Sequence, residues 1–363
     1  MWLIKRTTPI GLHYGYAIPV FIRNLDYHLA TVDVFSDGAI NAWEFLDRDL
    51  FDEKLRSGWV WPQPPVDGTI SVFNLGECNC SKVFWKLTAE DIRAAVHSAI
   101  LKLNPSMVGL LDMQGSSIEL RGGVRYTKLG QADDRPCRQS EAGEDIDGRE
   151  VPVFDQSGDE IELTRAFVFA DGSARVGSDR PFITHQALFD LFESGVLSTR
   201  VPDGSVVNVG ALGAFEAVNG SWLIEPAERV RELRGLIQEL RGSPSLQQAC
   251  IKVFKEYERE PTKQNKERLR LAYEAVPEHL RIFCGDMDSK DQPIRRILYN
   301  EKPLYEIGLQ VSGGAMLAAL AAGLWAFIIG PSSLVTGAFL LIAVVGLVGI
   351  AVTCVGFYAG RPK

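Results

Sequence analysis

The sequence predicts an α+β protein: a tandem-duplicated, mostly antiparallel domain, a helical segment, and a C-terminal two-helix transmembrane hairpin. Three observations lead there. A set of short motifs occurs twice in the same order, the apolar period turns helical between 245 and 300, and residues 307–360 contain no Asp, Glu, Lys or Arg.

The duplication is read from ordered matches. Ile18-Pro19-Val20-Phe21 recurs as Val151-Pro152-Val153-Phe154, 133 positions on, and Val34-Phe35-Ser36-Asp37-Gly38 as Val168-Phe169-Ala170-Asp171-Gly172, 134 positions on. Ser57-Gly58 matches Ser194-Gly195, Asp67-Gly68 matches Asp203-Gly204, and Trp85 matches Trp222, at offsets of 136 or 137. Offsets that drift this little indicate one fold used twice with small loop insertions.

In each copy the Pro-Val-Phe strand leads to an alternating strand (31–35 and 165–169), an Asp-Gly hairpin turn and a return strand (39–45 and 173–176). A short helix follows, with Phe51 and Leu55 on its apolar face in copy one and Leu188, Phe189, Leu191 and Phe192 in copy two. A further strand (69–73 and 205–209) and a strand bearing Trp85 or Trp222 precede a second helix. Thr88 and Asp91 suit a capping box at its start in copy one, and Pro226 suits its first turn in copy two. Both tryptophans sit among apolar neighbours at strand spacing and are assigned to the core.

Copy one carries extra strands at 107–111 and 118–126. The stretch 131–149 holds Asp133, Asp134, Glu141, Glu144, Asp145 and Asp147 with few apolar residues, which reads as a solvated, mobile linker. From 245 to 300, Ala249, Val253 and Tyr257, then Leu269, Ala272, Tyr273 and Val276, recur at helical spacing. The expected divisions are therefore a first repeat at 1–130, an acidic linker at 131–149, a second repeat at 150–242, a helical juxtamembrane segment at 243–303 and the hairpin at 304–363.

The hairpin rests on length. Residues 307–330 and 334–358 are apolar runs of 24 and 25 residues, and roughly 20 span a bilayer. Lys290, Arg295, Arg296 and Lys302 precede the first run and Arg361 and Lys363 follow the second, which places both termini in the cytoplasm. Trp325, Tyr358 and Tyr305 suit the membrane interface. Gly314, Ala318 and Ala322 form one small-residue stripe and Ala315, Ala319 and Gly323 the next, a pattern for close helix packing and a homo-oligomer in the lipid bilayer. Neither run carries an ionisable group, which argues against a transporter.

Composition narrows the remaining classes. The 38 basic and 46 acidic side chains leave a formal charge of −8, against a nucleic-acid binder. No apolar secretory core follows Lys5 and Arg6, so the N-terminal part is expected to stay in the cytosol. Six scattered cysteines read as reduced thiols.

The segment Ala272-Tyr-Glu-Ala-Val-Pro-Glu-His279, with Gly285-Asp-Met-Asp-Ser-Lys-Asp291 and Pro293-Ile-Arg-Arg296, resembles one that recurs in uncharacterised bacterial proteins. The resemblance covers about 25 residues and implies a bacterial origin, hence an inner-membrane location, but no activity.

Candidate chemistry is sparse. Asp286, Asp288 and Asp291 are the densest carboxylate group and the candidate site for a divalent metal, although the Gly and acidic positions of an EF-hand are missing. No other cofactor is predicted. Cys78 and Cys80, with His97 on the following helix, fall short of a four-ligand zinc site. The chain has no GxSxG, Walker A, Rossmann glycine or HExxH motif, and no catalytic residue is assigned.

The first functional reading is a non-enzymatic, membrane-anchored cytosolic sensor or effector. Its duplicated domain binds a protein or small-ligand trigger, and its output is hairpin self-association and membrane permeabilisation, by analogy with phage-defence effectors. The alternatives are a membrane-tethered metal-dependent hydrolase using Asp286, Asp288 and Asp291, and a passive anchored scaffold or immunity-type binding protein.

Overall fold

A computed structural model describes residues 1–8, 11–113, 118–121, 124–127, 135–158, 160–286 and 289–301. The chain forms two compact units, Met1–Ser245 and Leu246–Lys363.

The first unit is built on one 16-stranded sheet. Its first half runs β1 (Trp2–Thr8), β2 (Gly11–Asn24), β3 (Asp26–Phe35), β4 (Ile40–Asn41), β5 (Phe45–Leu46), α1 (Arg48–Arg56), β6 (Val60–Trp61), β7 (Thr69–Val72), β8 (Gly76–Trp85) and α2 (Ala89–Leu103). A separate two-stranded hairpin, β9 (Ile118–Arg121) and β10 (Val124–Thr127), follows. The second half runs β11 (Arg135–Gln139), β12 (Asp145–Asp155), β13 (Ile161–Phe169), β14 (Ser173–Val176), β15 (Ile183–Thr184), α3 (His185–Glu193), β16 (Leu197–Ser198), β17 (Ser205–Asn208), β18 (Gly213–Trp222) and α4 (Pro226–Leu240).

The two halves pair their strands in the same way. β2 lies antiparallel to β3 along one edge and meets β1 and then β6 along the other. β12 does the same with β13, β11 and β16. β3 pairs antiparallel with β4 and parallel with β7, as β13 does with β14 and β17. Local chemistry sets the turns. Gly38 and Gly172 take φ of +79° and +92° after the aspartates, and Asp37 and Asp171 accept from the backbone N–H two residues on, Ala39 at 3.2 Å and Ser173 at 3.1 Å. Asp47 caps α1 and Thr184 caps α3 at equivalent positions.

The halves join through equivalent strands. β8 pairs antiparallel with β18, and β1 pairs antiparallel with β11. With the β12–β13 pairing, the path β1, β2, β3, β7, β8, β18, β17, β13, β12, β11 closes on itself, so the first unit has a pseudo-twofold axis and a continuous ring of strands. At the β8–β18 seam, Gly76 lies opposite Trp222 and Gly213 opposite Trp85. A Cβ on Gly76 would stand 2.3 Å from the Ser221 carbonyl oxygen, and one on Gly213 2.3 Å from that of Phe84. Each indole then reaches its own half: Trp85 Nε1 donates to the Pro64 carbonyl (2.6 Å) and Trp222 Nε1 to that of Val201 (3.1 Å). Phe21 and Phe154 meet the two indoles edge-on, with ring centroids 5.1 and 5.0 Å away.

The core follows the ring. The largest cluster joins Phe21, Ile70 and Cys80 of the first half to Phe154, Val207 and Phe215 of the second. A second cluster lies under α3 and α4, and a third collects Trp2, Phe35, Phe45, Phe167 and Phe169. Arg229 of α4 is buried; it pairs with Glu232 and donates to the Asn74 carbonyl in the other half.

These observations correct three expectations. The two repeats are not separate α+β domains joined by a linker: they share one sheet in a mixed, sheet-rich fold. Within 131–149, residues 135–139 form β11 and residues 145–149 begin β12, because cross-strand pairing places Pro136, Cys137 and Gly148 inside while the charged side chains lie outside or pair. The transmembrane hairpin at 304–363, with its stripe of Gly314, Ala315, Ala318, Ala319, Ala322 and Gly323, lies outside the described residues. Among the described residues no helix is long and apolar enough to cross a membrane. The longest, α2 and α4, have 15 residues, short of the roughly 20 needed. The hairpin, the membrane-protein assignment and the multi-pass inner-membrane location thus find no support among the described residues.

The second unit contains α5 (Leu246–Arg259), α6 (Lys263–Ala275) and α7 (Gln292–Tyr299). They enclose Cys250, Leu269, Tyr273, Val276, Cys284 and Ile294. Thr262 caps α6, and Arg268 pairs with Glu256 across α5 and α6 at 2.7 Å.

Two stability predictions follow from the first unit. Gly213→Ala is expected to cost about 2–3 kcal/mol in a denaturant titration, since the methyl meets backbone across the seam. Arg229→Met is expected to cost about 3 kcal/mol by removing the cation beside buried Glu232, and Arg229→Met with Glu232→Leu to recover most of it; equal losses in the single and double variants would contradict this.

Candidate functional site

The first unit holds a cleft of about 610 Å³ lined from both halves. Four equivalent pairs wall it: Pro19 and Pro152, Leu29 and Leu163, Ala30 and Thr164, Val72 and Val209. They converge because β3 runs parallel to β7 with Leu29 opposite Val72, and β13 lies beside β17 in the same register. Helix α2 covers one side with Ile92, Ala95 and Ala99, held at its start by the Thr88–Asp91 capping box.

The rim carries charge. Arg165 donates to Glu150 at 2.6 Å and lies 5.3 Å from the Trp2 ring centroid. Burial pushes the Glu150 carboxyl above its ordinary range, and the Arg165 cation opposes that shift. Arg180 pairs with Asp155 and Glu162 and donates to Ser157 Oγ at 3.0 Å. Lys102, in the last turn of α2, stands 4.7 Å from the Tyr16 ring centroid and, among the described residues, meets no carboxylate within 4.0 Å. Two rim cations are thus matched, while Lys102 lines the cleft with no ion pair among the described residues, its ammonium beside the Tyr16 ring. An apolar chamber of this volume with an unpaired lysine in its lining suits a small amphipathic anion.

The sequence-derived candidates lie elsewhere. Cys78 and Cys80 point into the core from β8, and burial pushes both thiols up to about 12, which disfavours the thiolates that zinc needs. His97 lines a separate depression beside Arg93 on α2. Asp286 accepts from the Ser289 N–H and Oγ at 2.6 and 2.7 Å. Asp291 is buried and accepts from Tyr273 O–H; burial, and then this carboxylate, raise the tyrosine's pKa. Asp288 lies outside the described residues, as do the six small residues of the proposed packing stripe. Among the described residues no three His, Cys, Asp or Glu side chains gather as metal ligands.

The duplication leads to the expectation of a pseudo-symmetric cleft, but sequence reasoning named none of its lining residues. Its walls are ordinary strand residues, and the one available signal was that several belong to the repeated motifs, so a pseudo-twofold axis brings them together.

The sequence model of the domain of unknown function DUF7638 matches residues 13–107 and 136–244. That of a second domain of unknown function, DUF7639, matches residues 245–320. No curated protein and no solved structure matches the chain.

A thiol prediction follows from the β8 geometry. In the native protein at pH 8, Cys78 and Cys80 are expected to resist a thiol-specific reagent, with only about one part in ten thousand as thiolate. Peptide-resolved mass spectrometry should find them modified after denaturation; rapid native labelling would contradict the buried assignment.

Proposed function

We propose, from the premise that the chain belongs to the DUF7638 family, that it is a non-enzymatic binding protein whose first unit holds a small amphipathic anion. The observation that carries this reading is the cleft between the halves, apolar along its walls and lined by Lys102, which has no ion pair among the described residues. The apolar body of the ligand lies against Leu29, Leu163 and Val209, and its acidic group meets Lys102 at the rim. The reading is supported by the absence of repacking needed to reach that chamber: α2 and the strand ends already form its walls.

The metal-dependent hydrolase has weaker support. Asp291 is committed to Tyr273 inside the second unit, and Asp286 to the Ser289 turn. A carboxylate already holding a buried hydroxyl would have to leave it to serve a metal.

Titration of the full chain with anilinonaphthalene sulfonate, an apolar ring system with one anionic group, tests the proposal. Saturable one-to-one fluorescence enhancement is expected. Lys102→Ala should weaken it about two- to fivefold, the effect of one exposed ion pair. Ala95→Phe should narrow the chamber and weaken binding while the melting temperature changes little. Undiminished binding to both variants would sink the reading.

A further inference from the structure

The two halves differ where the chain leaves their second helix. After α2, residues 105–113 fold back over the Asp37-Gly38 turn. Asn104 Nδ2 donates to the carbonyls of Ser36 (3.1 Å) and Val108 (2.9 Å), Leu111 N–H to that of Asp37 (2.7 Å), and Met113 N–H to Asp47 Oδ2 (2.9 Å). Leu110 lies so close that a Cβ on Gly38 would be 3.1 Å from its own Cβ, and Leu111 packs on the cluster containing Phe35 and Phe45. Beneath this segment, Arg6 of β1 lies between the Phe35 and Phe45 rings, 4.6 and 4.9 Å from their centroids, and pairs with Asp37.

Among the described residues the second half repeats the arrangement without the cover. Arg138 of β11 pairs with Asp171 and lies 5.7 and 4.7 Å from the ring centroids of Phe169 and Phe182. α4 ends at the position equivalent to the end of α2, but the chain then continues through 242–245 to α5. A Cβ on Gly172, the counterpart of Gly38, would meet nothing within 4 Å. Phe45 is 6% exposed and its counterpart Phe182 is 46% exposed. The Arg6 side chain is 1% exposed and that of Arg138 21%.

Charge distinguishes this open face from the covered one. Copy one has Asn41 where copy two has Arg175, whose guanidinium lies 5.0 Å from the Phe182 centroid, beside Arg138. Among the described residues Arg175 forms no ion pair within 4.0 Å, and its Nε is buried without a hydrogen-bond partner. Burial lowers its pKa; Asp179 opposes this, and the neighbouring Arg138 cation adds a smaller lowering. A carboxylate arriving over Phe182 would give this guanidinium the ion pair it lacks among the described residues.

We propose that the face formed by Arg138, Arg175 and Phe182 docks an extended peptide of a partner protein, carrying two consecutive leucine-like residues followed by an acidic one. Leu110-Leu111-Asp112 on copy one shows the course such a segment takes, and Arg175 selects the acid. The face stands apart from the Lys102 end of the cleft, and the inference does not depend on a ligand binding there.

The test uses a fluorescent peptide with the sequence of residues 105–113 and the full chain, read by anisotropy. Saturable binding with a Kd of about 10–100 μM is expected for a short, flexible segment. Phe182→Ala with Arg175→Glu should weaken it about tenfold or more, and replacing both peptide leucines by alanine should abolish it. A charge exchange covers the case where the double variant unfolds: Arg175→Glu alone should lose the parent peptide and gain one whose aspartate is replaced by lysine. No saturable binding up to about 1 mM, or equal affinity in parent and Arg175→Glu, would overturn the proposal. So would self-association of the chain that Arg175→Glu abolishes while the peptide stays unbound, because the occupant would then be a second copy.

Discussion

The first unit depends on one self-complementary contact, the antiparallel seam between β8 and β18. Each strand offers a glycine to the other's tryptophan, and each indole donates back into its own half. The close approach requires that neither Gly76 nor Gly213 carry a side chain. Once that register is set, β7 and β17 follow by antiparallel pairing, β3 and β13 by parallel pairing, and the walls of the cleft arrive at their places. The amphipathic chamber is thus a by-product of symmetry: equivalent residues meet because equivalent strands do.

The same symmetry governs two arginines, Arg6 fully buried and Arg138 half-buried. An arginine inside a protein needs its charge matched and its planar face covered, and this fold meets both needs twice with one device, an aspartate of the hairpin turn and two phenylalanine rings. Arg229 is handled differently. Its counterpart position in copy one is Ile92, and the guanidinium instead ties α4 to the first half through Asn74. At this position the copies diverge where the second half touches something its counterpart does not.

Much of this could be read from particular residues before any coordinates. The motif pairs at 18–21 and 151–154 occupy equivalent stretches of β2 and β12, and the Asp-Gly pairs form equivalent turns. The capping box at Thr88 forms as its spacing indicates. β11 was hidden because its charged neighbours mask a strand whose inward residues are a proline and a cysteine. The closing of the ring was also hidden, since register between distant strands leaves no local pattern. The lining of the cleft was illegible for the same reason, as was the commitment of Asp291 to Tyr273, which brings together residues 18 positions apart.

The closed ring has a consequence for synthesis. As the chain emerges from the ribosome, β8 is complete long before β18 exists, and β1 must wait for β11. Until residue 139 is out, the nascent first half presents two unpaired strand edges, at β1 and β8, flanked by Leu12 and Phe84, and the β8 edge stays unpaired until residue 222. Such edges are templates for intermolecular pairing. Ring closure is therefore a late, long-range event, and the covering of the nascent chain during that interval becomes part of how this fold is reached.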